Sequence, residues 1–112
     1  MDPQIDRYGV YWVNLDPVRG NEIAKTRPAV VVSDSAMNGT LETVVVCPLT
    51  TRLHPRWPFR VAVTVDQTPG EVAVDQIRTV DRTRLGAKVG HLPSVKAEEL
   101  RHVITLMYGV LS

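Results

Sequence analysis

The first feature with chemical content is a cluster of cations with an aromatic residue among them. Residues 52–60 carry Arg52, Arg56 and Arg60 and no acid, with His54 and Trp57 interspersed. A guanidinium offers a planar fork of donors that matches phosphate oxygens, and an aromatic ring offers a face for a base. This mixture suits the backbone of a nucleic acid. Two roles stay open for Trp57, between Pro55 and Pro58: it stacks on a base, or it anchors the loop in the core. A second basic run, Arg78, Arg82, Arg84 and Lys88 against Asp81 alone, reads as surface or interface charge. Offsetting acids at Asp34, Glu42, Asp66, Glu71 and Asp75 leave a formal net charge of only +1. The global balance therefore says nothing of nucleic acid, and only the local patches do.

Other chemistries find little support. Cys47 is the single cysteine, so no intramolecular disulfide can form, and its place in Val44-Val45-Val46-Cys47 reads as a buried, inert thiol. No Cys/His spacing suggests a metal site, and neither a metal nor a cofactor is expected. His91 and His102 read as structural or surface residues. There is no signal segment and no apolar run of membrane-spanning length, so a cytoplasmic protein without a membrane partner is expected.

At 112 residues the chain is long enough for one domain, spanning 1–112, and one real core. Valine dominates the hydrophobic residues, which favours strands. Residues 8–15 read as a strand with apolar groups on both faces, hence covered on both. Residues 16–26 form a long loop broken by Asp16-Pro17 and Gly20-Asn21. Residues 28–33 are a second strand, residues 34–40 a short helical turn, and residues 43–49 a third, central strand. After a loop over 50–58, Phe59, Val61, Val63 and Val65 alternate with Arg60, Ala62, Thr64 and Asp66, the pattern of a half-exposed antiparallel strand. Pro69-Gly70 is a turn signal. Residues 71–80 form a further strand with a bend near Gln76, and residues 81–86 a short turn or helix. The last segment is helical, with Ser94 as N-cap and a stripe of Leu100, Val103, Ile104, Met107 and Leu111. The fold class expected is mainly β: about five antiparallel strands curled into a small barrel, with an amphipathic C-terminal helix packed on it.

Four stretches carry a family resemblance. Gly20-Asn21-Glu22 with Lys25-Thr26-Arg27-Pro28-Ala29-Val30-Val31-Val32-Ser33, then Pro48-Leu49-Thr50-Thr51, then Asp75-Gln76-Ile77-Arg78-Thr79-Val80-Asp81-Arg82 with Leu85, and finally Glu98-Glu99-Leu100, resemble in order the motifs of the MazF/PemK toxins. They cover essentially the whole chain. The resemblance implies an SH3-like barrel of the MazF/CcdB kind, a homodimer, and metal-independent, sequence-selective cleavage of single-stranded RNA to 2′,3′-cyclic phosphate and 5′-hydroxyl ends. It also implies a cognate antitoxin that lays a flexible acidic segment across the active surface.

The family's functional arginine falls on Arg27 and its threonine on Thr50, and Glu22 matches a loop acid implicated in some members. Attack of a ribose 2′-hydroxyl on the adjacent phosphorus needs a proton acceptor, stabilisation of phosphoryl charge, and a proton for the leaving 5′-oxygen. Arg27 and Thr50 suit the second task. Glu22 could be the acceptor, or it could pair with Lys25 or Arg27. Arg19, Lys25, Arg52, His54 and Arg56 are the expected RNA contacts. Asp75 and Gln76 are assigned structural hydrogen bonds. Two rivals share the fold class: a CcdB-type gyrase poison and a non-catalytic SH3-like binding module. The former depends on a C-terminal tryptophan that the ending Tyr108-Gly109-Val110-Leu111-Ser112 lacks.

Overall fold

The computed structural model describes residues 4–109. Seven strands and two α-helices follow in the order β1 (Gly9–Asn14), β2 (Thr26–Val31), α1 (Ser35–Asn38), β3 (Thr43–Thr50), β4 (Arg60–Val65), β5 (Thr68–Ala73), β6 (Arg78–Asp81), β7 (Leu85–His91) and α2 (Ser94–Tyr108). All paired strands are antiparallel. The sheet runs β4-β5-β3-β2-β1-β7, and β6 pairs with β3 beside β5. It curls as a half-barrel, and β3 is its spine.

Side chains alternate between two cores because successive strand residues point to opposite faces. Val10, Val30, Cys47, Leu49, Val61 and Val72 face one side, where Ala97, Leu100 and Val103 of α2 cover them. Tyr11, Val13, Ala29, Val31, Val44 and Val46 face the other, packed with Ile5, Leu15 and Val80. The expectation that the first strand is covered on both faces therefore holds, except that Trp12 is 44% exposed. Cys47 is fully buried. Desolvation, with a smaller push from the Asp75 charge, raises its thiol to about 12. A thiol held neutral in this way is inert, as its apolar setting suggested.

Four details depart from the sequence expectations. The strand expected over 71–80 is two strands separated by a 3-10 turn at Val74–Gln76, so the anticipated bend becomes a break. The turn expected at Pro69-Gly70 lies instead at Asp66 and Gln67, whose φ angles are 51° and 65°. Val65 pairs with Thr68 across them, so this is a two-residue hairpin. Pro69 is tolerated inside β5 because β3 pairs only further along, at Val72 and Glu71, and no ladder partner on that side needs its missing N–H. β7 was not foreseen: Leu-Gly-Ala-Lys-Val-Gly-His has two glycines and one β-branched residue, and it survives as an irregular edge strand on β1. Finally, α2 begins at Ser94 itself, with Pro93 in the N-cap position and no side-chain cap. The stripe along α2 buries Leu100 and Val103, leaves Met107 36% exposed, and its Leu111 lies outside the described residues. Among the described residues no helix is long and apolar enough to cross a membrane.

Candidate active site

The β2–β3 ladder pairs Val31 with Val46, Val30 with Cys47 and Ala29 with Pro48. The ladder ends there, and Arg27 in β2 and Thr50 in β3 each lie two residues beyond its last pair. The start of β2 and the end of β3 thus meet at one end of the sheet, each opening on a loop. On the far side of β3, Thr50 pairs with Glu71 of β5. Gly70, next to Glu71, is where β5 passes closest to Thr50: a Cβ there would come within 3.0 Å of the Thr50 carbonyl oxygen.

Arg27 and Thr50 line one cleft of about 240 Å³, together with Trp12, Pro28, Leu49, Val63, Val65, Asp66, Thr68 and Val89, among others. Its walls are mostly apolar. The polar groups that converge on it are few, the arrangement expected of a ligand site. Arg27 is half-buried. Its Nε donates to the Ala24 carbonyl at 2.9 Å, and among the described residues no carboxylate pairs with it. Its guanidinium thus has no ion-pair partner among the described residues, although Asp66 lines the same cleft. Thr50 is buried, and its Oγ1 accepts the Arg52 N–H at 3.1 Å. With that lone pair taken, the hydroxyl hydrogen remains available to donate.

The loop before Arg27 is held by polar ties. Asp16 Oδ1 accepts from Lys25 N at 2.9 Å, and Gln76 Oε1 accepts from Ile23 N at 3.3 Å. Gln76 Oε1 also accepts from Arg78 Nη2 at 3.1 Å, so the hydrogen-bonding role expected for Gln76 is what it has. Glu22 pairs with neither Lys25 nor Arg27. Its Oε1 accepts the Arg19 N–H at 2.7 Å, closing a tight turn, and the side chain is exposed beside the cleft's loop without lining the cleft. Arg19 and Lys25 are likewise exposed and lie outside the cleft lining.

The loop after Thr50 is more firmly organised. His54 stacks on Trp57 with ring centroids 3.7 Å apart and planes within 5°. Trp57 also leans on Phe59, with centroids 5.1 Å apart. Trp57 is 39% exposed and belongs to neither core, so its ring steadies the loop from the surface and its two roles stay open. Arg60 was expected on the exposed face of its strand, as one of three unopposed cations. Its side chain is instead only 9% exposed. It sits diagonal to Glu71 across β4 and β5, bonds Asp75 Oδ1 at 2.8 Å and Glu71 Oε1 at 3.3 Å, and places its guanidinium 4.8 Å from the Trp57 ring. Two flanking carboxylates draw it inward, so the unopposed cations of this loop are Arg52 and Arg56, both exposed. Asp75 has the structural role expected of it.

In the second basic run, Lys88 pairs with Asp6 at 3.2 Å, and Arg84 donates to the Asn14 and Asp16 carbonyls. Asp81 accepts from the Thr83 hydroxyl and amide, which hold its carboxyl below the usual carboxylate range. Among the described residues no three His, Cys, Asp or Glu side chains cluster as a metal would require. The structure thus brings Arg27 and Thr50 together and sets the other nominated residues on the two flanking loops. Trp12 and Glu71 escaped sequence reasoning. An exposed tryptophan in an otherwise buried strand is a signal visible only once its face is known. A lone glutamate between glycine and valine gives none.

Comparison with known proteins follows the same line. A family model described as PemK-like, MazF-like toxin of type II toxin-antitoxin system matches residues 6–108. The chain is 32% identical over 110 residues to endoribonuclease MazF9 of Mycobacterium tuberculosis, covering 89% of this chain and 93% of that protein. Its fold is similar to the crystal structure of MazF from Deinococcus radiodurans, with a TM-score of 0.86 and 30% identity over 97% of this chain and 100% of that one. It is also similar to a chain of the MazE-MazF crystal structure from the same organism, with a TM-score of 0.78 and 28% identity over 97% and 100% of the two chains.

Proposed function

The chain belongs to the PemK-like, MazF-like toxin family of type II toxin–antitoxin systems, and we propose that it acts there as a sequence-selective endoribonuclease on single-stranded RNA. The observation that carries this reading is the convergence of Arg27 and Thr50 on one cleft, from facing ends of neighbouring strands. The similarity to a protein named endoribonuclease MazF9 supports it.

In the proposed reaction the ribose 2′-oxygen bonds to phosphorus and the phosphorus–5′-oxygen bond breaks. One proton passes from the 2′-hydroxyl to the departing 5′-oxygen, leaving a 2′,3′-cyclic phosphate and a 5′-hydroxyl. Arg27 supplies a fork of donors to the phosphoryl oxygens, and with no carboxylate paired to it among the described residues its charge is kept for the substrate. Thr50 donates its hydroxyl to the same oxygens. A well-placed donor of this kind is worth about 3–4 kcal/mol in the transition state. A guanidinium is a poor proton acceptor at neutral pH, so we assign that task to Glu22, whose Oε2 makes no hydrogen bond among the described residues. Arg19, Lys25, Arg52, His54 and Arg56 flank the cleft on the two loops and steer the RNA backbone into it. The same cations suit the flexible acidic segment of a cognate antitoxin, and the toxin works as a homodimer in the cytoplasm.

The test uses purified protein on a long single-stranded RNA in EDTA, with the new ends sequenced and their termini identified. Cyclic-phosphate ends at a recurring short motif are expected. Intact RNA, or 3′-hydroxyl ends, contradicts the proposal; intact RNA accompanied by trapped gyrase–DNA complexes points to a gyrase poison.

A further inference from the structure

The loop that starts at Thr50 is tied at several points to a single buried side chain. Arg60 Nη1 donates to the Arg52 carbonyl at 3.4 Å. Its guanidinium lies over Trp57, on which His54 stacks. It pairs with Glu71, and the same Glu71 Oε1 accepts the His54 N–H at 2.9 Å. Asp75 holds the Nε end of the fork. Residues 52, 54 and 57 are thus each fixed to Arg60 directly or through one intermediary. Arg52 in turn donates its amide to the Thr50 hydroxyl oxygen. Glu71 itself is paired with Thr50 across β3 and β5.

We infer that Arg60 is a positioning residue for the cleavage site: it fixes the 52–57 loop so that the Arg52 amide holds the Thr50 hydroxyl in the orientation that donates to phosphate. This rests on the reading of Thr50 given above. Arg60 does not touch the cleft. Its effect runs through backbone groups, and needs a fork able to reach two carboxylates and a carbonyl at once, which a lysine ammonium cannot span. Hydrogen-bonded neighbours of this kind act non-additively, and a double-mutant cycle measures it.

Steady-state cleavage by the full chain is to be measured for Arg60→Lys and for Arg60→Met/Glu71→Gln, each with Thr50 intact and with Thr50→Val. Arg60→Lys keeps a cation between the two carboxylates. The Met/Gln pair removes Arg60 together with one of its acids, so neither variant leaves Glu71 as an uncompensated buried charge. With Thr50 present, each is expected to lower kcat about tenfold while KM stays within about threefold, a coupling in the range that members of one hydrogen-bond network show. With Thr50→Val, either change is expected to cost less than about threefold more, because the hydroxyl it positions is gone. Full multiplication of the two losses, a loss confined to KM, or wild-type kcat in Arg60→Lys overturns the inference. Thr50→Val alone retaining wild-type activity instead removes the reading of Thr50 on which it rests, and is recognised as that by the single variant.

Discussion

Arg27 and Arg60 are the same side chain in opposite electrostatic settings. Arg60 is buried between Glu71 and Asp75, whereas among the described residues Arg27 has one carbonyl and no paired carboxylate. A phosphate recruits most readily the guanidinium whose charge is unspent, and on the proposed mechanism this difference sets Arg27 toward substrate and Arg60 toward structure. Nothing in the local sequence separates them, since each sits at or near a strand start beside proline or phenylalanine. The family motif singled out Arg27; only the tertiary pairing shows where Arg60 goes. Glu22 poses the converse problem, a carboxylate with one oxygen engaged by the Arg19 amide. Glu22→Gln preserves that hydrogen bond and deletes the basicity. If Glu22 takes the 2′ proton, single-turnover cleavage falls on the order of 10²-fold or more, the usual contribution of a general base. A rate within a few-fold of wild type would confine Glu22 to bracing its loop.

At the scale of elements, legibility followed side-chain pattern. β4 was readable because Val61 and Val63 alternate with Ala62 and Thr64, and β3 because it is almost continuously apolar. β7 was not, because its edge position asks little of its residues. The hairpin turn was misplaced because Asp66 and Gln67 adopt the left-handed conformation without a glycine to announce it, while Pro69-Gly70 announced a turn that β5 does not make. Gly70 instead serves a close approach to Thr50. The loop over residues 51–59 kept the position expected of it, but ion pairing takes Arg60 out of its set of free cations. Its salt signature should therefore come from Arg52 and Arg56. Reversing both to glutamate is expected to weaken RNA binding and to flatten the log–log salt dependence by about 0.7 for each phosphate no longer neutralised. An unchanged slope would remove this loop from the binding surface.

At the scale of the whole molecule, the two-sided core explains why so small a chain can hold a precise site. Strands β1, β2 and β3 are clamped on both faces, with the core under α2 on one side and Ile5, Leu15 and Val80 on the other. The ends of β2 and β3 inherit that rigidity while their loops stay open to solvent, the preferred arrangement for positioned catalytic groups. The order of motifs along the sequence was enough to reveal the family and a mainly β fold with a C-terminal helix, expected as a small barrel and found as a half-barrel. The cleft was not legible, because it is assembled from β1, β2, β3, β4, β5 and β7, and no stretch of sequence contains it. In the proposed mechanism the decisive charge in that cleft is Arg27, whereas His54, stacked on Trp57, only flanks it as an RNA contact. Single-turnover cleavage of one RNA by Arg27→Ala and His54→Ala tests this division most directly. The expected loss is about 10²–10³-fold for Arg27→Ala, as for removal of a transition-state donor, and less than about tenfold for His54→Ala, below what a proton-transfer residue contributes. Comparable losses in the two variants, or an Arg27→Ala protein that cleaves at the wild-type rate, would contradict it.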